Sequence, residues 1–224
     1  MSRIYGIVSC DVIDSTSLDR DALIQLRSDI NNSLFPDIDI LCPDFWGRVV
    51  RGDTIECCLE KYWMSFRVAL IIKCWFMEWA SRYEVSDRMR NDGVRYSIGI
   101  GPMRLIDRNV DIMDGEAIYL AGRNLDLISY KGLTSYFEMN SDNREINSLI
   151  NNNVMLVDQI IGQATDRQLP ILYERLIGST EVEIARNLSI SQGAVNQRAK
   201  NAGWPFIRQT LTLLEHIDLG KYVG

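Results

Sequence analysis

Histidine is almost missing from this 224-residue chain, with His216 the single example. The five cysteines, Cys10, Cys42, Cys57, Cys58 and Cys74, form no C-x-x-C pair and lie far from that histidine in sequence. These gaps argue against a zinc site. Adjacent Cys57 and Cys58 would point to opposite faces of a strand, so they are poorly placed to pair with each other. Reduced core thiols and a cytoplasmic home are expected. Long uninterrupted apolar runs are missing too. The stretch Tyr62 to Ala80 is broken by Arg67, Lys73 and Glu78, which fits a buried helix and not a membrane span. Near the start, Ile4 to Val8 is too short for a secretory h-region, and no small-residue cleavage site follows it. No internal repeat and no low-complexity tract occurs.

The chain also has no overall basic excess: 24 Lys plus Arg face 30 Asp plus Glu, net −6. That sign is unusual for a nucleic-acid binder, but the charge is unevenly spread. From Gln163 onward, 7 basic residues face 6 acidic ones, net +1, so the first 162 residues carry net −7. What remains is an ordinary globular composition, 46% hydrophobic and 24% charged, enough for one large or two small domains.

The hydrophobic pattern predicts a short buried strand over Ile4 to Cys10 and a helix from Leu18 to Leu34. Trp46 to Arg51 and Thr54 to Leu59 read as a hairpin turning at Gly52-Asp53. A long apolar helix follows, about 62 to 83. A strand opens after Asp92-Gly93, is disturbed at Gly101-Pro102 and resumes as extended chain to Ile106. Asp114-Gly115 begins a helix to about Ser129, and Thr134 to Met139 is a further strand. This order predicts an α+β fold: a ferredoxin-like or palm-type sheet domain over residues 1–140, with helices on one face. Residues 141–162, Asn-rich at first, are expected to form a connecting helix, broken or continuous.

Residues 163–224 predict an all-α helix-turn-helix domain. Leu169, Leu172, Tyr173 and Leu176 share a helical face, and Gly178 stops that helix. Thr180 and Glu183 have capping-box spacing before a second helix carrying Ile184, Ala185 and Leu188. Ser191 can cap a third helix, with Ala194 and Val195 inward. Small Ala185 at the crossing and the plugs Leu188, Ile190 and Val195 suit two helices meeting at a steep angle; a plain helical hairpin is the alternative. The outward set is Ser191, Gln192, Gly193, Asn196, Gln197 and Lys200. Gln and Asn can pair bidentately with adenine, and Lys can reach guanine or phosphate. The run Glu183-Ile184-Ala185-Arg186-Asn187-Leu188-Ser189-Ile190-Ser191-Gln192-Gly193-Ala194-Val195 resembles the helix-turn-helix modules of sigma-factor region 4, with Ser189 where many carry glycine. A last helix from Trp204-Pro205 to about Asp218 has a stripe of Trp204, Ile207, Leu211, Leu214 and Ile217. The stripe closes the local core or forms a seam, and Leu213, off the stripe, favours a homodimer.

In the first domain, Asp11 at a strand end and Asp53 at the hairpin tip are candidate ligands for Mg2+ or Mn2+ with a nucleotide. Arg48, Arg51 and Arg123 are candidate nucleotide-binding cations. The competing reading makes these residues caps, turn formers and salt-bridge partners. Asp11, Gly52-Asp53, Gly115 and Arg123 resemble the class III nucleotidyl cyclase core. Tyr119, Val49 and Ile112 stand where that family has Asn, Lys and Asp, so the resemblance implies the fold and a metal site but no cyclase activity. Over nearly its whole length the chain resembles the SatD-like proteins. The matching segments are Asp11-Val12-Ile13-Asp14-Ser15, Gly52-Asp53-Thr54-Ile55 (with Thr54 where the family has an acid), Arg95 to Gly101, and Asp114 to Arg123. The reading as a whole is a cytoplasmic regulator that binds double-stranded DNA, whose first domain is a non-catalytic sensor or scaffold. A metal-dependent nucleotide-processing enzyme, using its helix-turn-helix for assembly, is the alternative; the catalytic residues it would need are not identified by the sequence.

Overall fold

The computed structural model describes residues 3–50 and 52–224. Six strands form one sheet: β1 Ile4–Val12, β2 Trp46–Val50, β3 Thr54–Leu59, β4 Val94–Asp107, β5 Ile112–Gly115 and β6 Ser135–Met139. The order runs β2-β3-β1-β4-β5, with β6 also on β4. β1 is antiparallel to both β3 and β4, while β6 runs parallel to β4. The first four strands thus have the antiparallel order of a ferredoxin-like sheet, and the fold is α+β as the sequence predicts.

Strand alternation sends Val8, Cys10 and Val12 to one face of the sheet and Ile7 to the other. The first face carries the main core, under α1 (Arg20–Asp29), α2 (Phe35–Leu41) and the apolar α3 (Ser65–Ala80). The opposite face is covered by α5 (Glu116–Lys131), whose Ala117 and Ala121 sit beside Ile7, Cys58 and Met103. Helices therefore lie on both faces, which corrects the one-sided arrangement expected. Small residues make the second layer: a Cβ on Gly99 would come within 2.1 Å of the Ala117 carbonyl oxygen, so only glycine admits α5 this close.

Several boundaries also differ. The first helix does not stop at Leu34. A π turn, Ile30–Leu34, joins α1 to α2 and carries the chain past Pro36. A π turn relaxes the i→i−4 ladder, which accommodates a proline that cannot donate. A short α4, Asp87–Asp92, and strand β5 are additions. β4 runs unbroken through Gly101-Pro102, its register slipping only between Met103 and Leu105.

The Asn-rich segment is one unbroken helix, α6 Arg144–Gly162. Its asparagines have a job. Asn151 accepts from the Phe137 backbone N–H at 2.9 Å, and Asn147 both accepts from Met139 N–H at 2.9 Å and donates to Met139 O at 3.0 Å. Spaced by one helical turn, the two side chains satisfy the free edge of β6, which would otherwise invite pairing. Below them, Lys73 of α3 donates to Asp158 of α6 at 2.7 Å, with side chains 1% and 3% exposed. Thr134 donates to the other Asp158 oxygen.

Four α-helices follow, α7 Leu169–Leu176, α8 Glu181–Asn187, α9 Gln192–Asn201 and α10 Trp204–His216, and a 3-10 turn, Leu219–Tyr222, comes after them. The sheet's main core continues into Leu169, Leu172, Leu176, Ile207, Leu211 and Leu214 of α7 and α10. Polar ties reinforce this junction. Arg67 of α3 holds Glu215 at 2.6 and 3.1 Å and donates to Leu176 O, and Tyr173 donates to Asp37. The stripe on α10 closes this intramolecular core, whereas Leu213 is 56% exposed. All five cysteines are buried and unpaired. Burial pushes the Cys58 and Cys74 thiols up to about 12, too high for a thiolate near neutral pH. Among the described residues, no helix is long and apolar enough to cross a membrane.

Candidate functional site

Two sets of polar residues stood out in the sequence, and the structure treats them differently. At the end of β1, Asp11 lies opposite Thr54 on β3 and Arg95 on β4. Arg95 forms an ion pair with Asp11 and donates to Ser129 of α5 at 2.7 Å. Asp53 accepts from Ser15. Asp14, held at φ 53, accepts from Ser86 at 2.9 Å and has Arg88 at 3.6 Å. The D-x-x-D-S run is thereby clamped to the hairpin, to β4 and to the N-cap of α4. Burial pushes the Asp11 carboxyl above its usual range, Arg95 pulls it back down, and the Asp53 and Asp126 charges add to the upward push.

Asp11 and Asp53 are thus neighbours, as the sequence suggested, but a cation already sits on Asp11. Among the described residues no group of three acids, cysteines or histidines could hold a metal ion. The residues fit an internal ion-pair network better than Mg2+ or Mn2+.

The remaining N-terminal candidates do not converge on this point. Arg48 pairs with Glu56 at 2.6 Å and with Asp111 at 3.1 Å, and stacks over Trp46. It ties the turn between β4 and β5 to β2 and β3. Arg51 lies outside the described residues. Arg123 is exposed on α5 and makes no ion pair among the described residues. Tyr119 donates to Asp114, which also pairs with Arg104, and the Tyr119 bond is the main reason the Asp114 carboxyl lies below its usual range. Asp114, in β5, lies opposite Leu105 of β4, whereas Asp11 lies opposite Arg95, roughly 30 Å away along the strand. Asp11 and Asp114 thus stand at opposite ends of β4, while the far end of α5 reaches the Asp11 cluster through Ser129.

The second set is on α9. Ile171, Ile184, Val195 and Ala199 form a small apolar cluster of their own, flanked by Ala185, Leu188, Ile190 and Trp204. It fixes α9 against α7 and α8 while burying only Val195 and Ala199 of α9 itself. Both predicted caps are made. Thr180 and Glu183 form a reciprocal capping box, and Ser191 accepts from Ala194 N–H at 3.2 Å. Ser191, Gln192, Gly193, Asn196, Gln197 and Lys200 are all exposed. Gln197 donates within its helix to Asn201 at 2.9 Å, and Asn196 approaches Glu181 of α8 at 3.5 Å. The turn before α9 places Ser189 at φ 53, in the left-handed region that glycine adopts without strain.

Sequence reasoning missed Arg95 as the partner of Asp11, and missed the Lys73–Asp158 pair. The second had a signal: a lysine in so apolar a helix calls for a buried counter-charge. Arg175 and Arg208 were missed as well. They border α9 but belong to helices read only for their apolar stripes.

The fold and these sites define an α+β protein with a helical C-terminal quarter that presents one polar helix face. No protein-family model matches the chain, and no curated protein matches it. Among solved structures, a match is "Structure of a bacterial light-regulated adenylyl cyclase". It has 13% sequence identity and a TM-score of 0.45, covering 61% of this chain and 76% of that one.

Proposed function

We propose that this chain binds double-stranded DNA through α9 and acts as a transcription regulator, with the sheet serving as scaffold or sensor. One observation carries the reading: α9 is fixed by its own apolar cluster yet leaves Gln192, Gly193, Asn196, Gln197 and Lys200 exposed. A helix held from behind, with amides and a lysine in front, suits entry into the major groove. The charge pattern supports it. Acidic groups of this region are held within the fold: Glu215 is ion-paired with Arg67, while Glu174 accepts from Ser179 and Asn187, and Glu183 from Thr180. Arg186, Arg198, Lys200 and Arg208 make no ion pair among the described residues, and Arg67, from outside the region, offsets Glu215, so the local field is more positive than the net +1 suggests. The resemblance to SatD-like proteins and to sigma-factor region 4 implies the same arrangement. In this reading a homodimer presents two α9 helices to half-sites about one DNA turn apart. Phe206 and Leu213 on α10, 66% and 56% exposed, are its contacts.

Selection of bound fragments from random duplex DNA tests the reading. Gln197→Ala should relax sequence preference by about 1–3 kcal/mol, the worth of one bidentate base contact. Failure to retard any DNA at low salt would remove the proposal. Sedimentation of the wild type against Leu213→Lys tests the dimer, and a wild-type monomer at micromolar concentration would exclude it.

A further inference from the structure

Beside the polar face of α9 lies a cleft of about 200 Å3 where α7, α8, α9 and α10 meet, lined by Arg175, Glu181, Asn196, Lys200, Trp204 and Arg208. Three cations face one carboxylate. Arg175 is committed to Glu181 through one amino group, while its Nε is buried without a hydrogen-bond partner. Lys200 and Arg208 are exposed at the rim and make no ion pair among the described residues. Glu181 also has Asn196 at 3.5 Å, so a single carboxylate serves as acceptor for both α7 and α9. The cleft therefore gathers more donors than acceptors, beside an aromatic wall.

We infer that this cleft is a phosphate-binding site that receives one phosphodiester of the DNA backbone, held by Lys200 and Arg208 above the Arg175–Glu181 pair. The inference rests on the DNA reading and divides the face of α9. Gln197 is left for base edges, whereas Asn196 and Lys200 share one side of the helix, a turn apart, and belong to the backbone side. Arg208, which the sequence pattern did not single out, becomes a binding residue. Such a contact fixes register on the duplex and contributes to affinity whatever the base sequence. A free phosphate ion offers the same chemistry, so the test separates the two sources.

The DNA arm uses the full chain and a selected fragment carrying single methylphosphonates, which remove one backbone charge at a time. One position should weaken wild-type binding about tenfold, as loss of a charge-assisted hydrogen bond does. Arg208→Ala should bind about tenfold more weakly, lose sensitivity to that position and show a salt slope smaller by about one. Arg208→Lys should restore most of the affinity. The second arm adds inorganic phosphate to isotope-labelled protein and follows the Trp204 indole N–H resonance, expected to move in the wild type and to stay still in Arg208→Ala. If DNA binds but no phosphate position is coupled to Arg208 or Lys200, the cleft is overturned and the DNA reading stands. If no DNA binds but phosphate moves Trp204, the DNA reading fails and the cleft is a site for small phosphates. If neither occurs, both fall.

Discussion

The strand-end cluster around Asp11 and the outer face of α9 hold similar numbers of polar side chains, yet they differ in what those side chains already hold. Asp11 has Arg95, Asp53 has Ser15, and Asp14 has Ser86 and Arg88. Each bond joins segments distant in sequence, so the cluster staples the loop after β1 to the rest of the sheet. On α9, Gln197 is bonded only within its own helix, and Lys200 has no ion-pair partner among the described residues. Polar groups satisfied internally add to specificity and stability. Exposed groups on a rigid frame are free to recognise something else. Residue type suggested a metal site in one place and a base-reading helix in the other; only the pairing separates them.

The sharpest way to test this contrast is to break a satisfied pair and ask whether recognition suffers. Lys73→Met leaves Asp158 buried without its cation and should cost about 3–5 kcal/mol in denaturant unfolding. Adding Asp158→Leu should recover much of that loss. DNA affinity of the folded fraction should not change, because the pair ties α6 to α3 and bonds no residue of α9. A parallel loss of specific affinity would break the contrast.

A second test strikes the small cluster behind α9. Ile184 is fully buried there, and Ile184→Ala should cost about 2–5 kcal/mol as a cavity. The loss should be local. Hydrogen exchange should quicken in α8 and α9 while β1 and β4 stay protected, and DNA binding should fall together with α9 protection. Uniform loss of protection would show that the helical quarter and the sheet unfold as one.

A third test addresses the carboxylates. Asp53→Asn weakens one hydrogen bond and should cost about 0.5–1.5 kcal/mol. Millimolar Mg2+ or Mn2+ should leave the melting temperature of the wild type unchanged, and either ion with any nucleoside triphosphate should yield no cyclic product. Metal-dependent turnover that disappears in Asp53→Asn would restore the nucleotide-processing alternative.

Much of this was legible in the sequence where local chemistry rules. The Gly52-Asp53 hairpin, the Thr180–Glu183 capping box and the Ser191 cap each depend on residues within four positions, and each is formed. The continuation of α1 past Pro36 was hidden because a π turn has no composition signature of its own. The second helical layer was hidden because Gly99, Ala117 and Ala121 signal close approach without saying to what. In the site, the exposed set on α9 follows from helical periodicity alone. The Asp11–Arg95 pair spans 84 residues and follows from strand register, which no local pattern states.

The smallest expected effect comes from comparing two helix ends. α7 and α8 stop in the same way. After α7, Gly178 N–H donates to Arg175 O at 3.3 Å and Ser179 N–H to Glu174 O at 2.9 Å. After α8, Ser189 N–H donates to Arg186 O at 3.2 Å and Ile190 N–H to Ala185 O at 3.0 Å. Both are Schellman endings, whose first residue past the cap must take positive φ. Gly178 does so at 98°, with no Cβ to crowd the carbonyl, and Ser189 does so at 53° with one. A left-handed residue other than glycine carries roughly 1–2 kcal/mol of strain. Glycine gives part of that back through the greater freedom of its unfolded chain, about 0.4–1 kcal/mol. Ser189→Gly should therefore stabilise by about 0.5–1 kcal/mol and raise Tm by roughly 1–4 °C for a chain of this size. Because Ile190 keeps its place in the apolar cluster, α9 should keep its position and DNA affinity should not change. An unchanged or lower Tm would mean that the Ser189 side chain contributes something the turn depends on. A gain in Tm accompanied by weaker DNA binding would mean that the strain itself sets how α9 is presented.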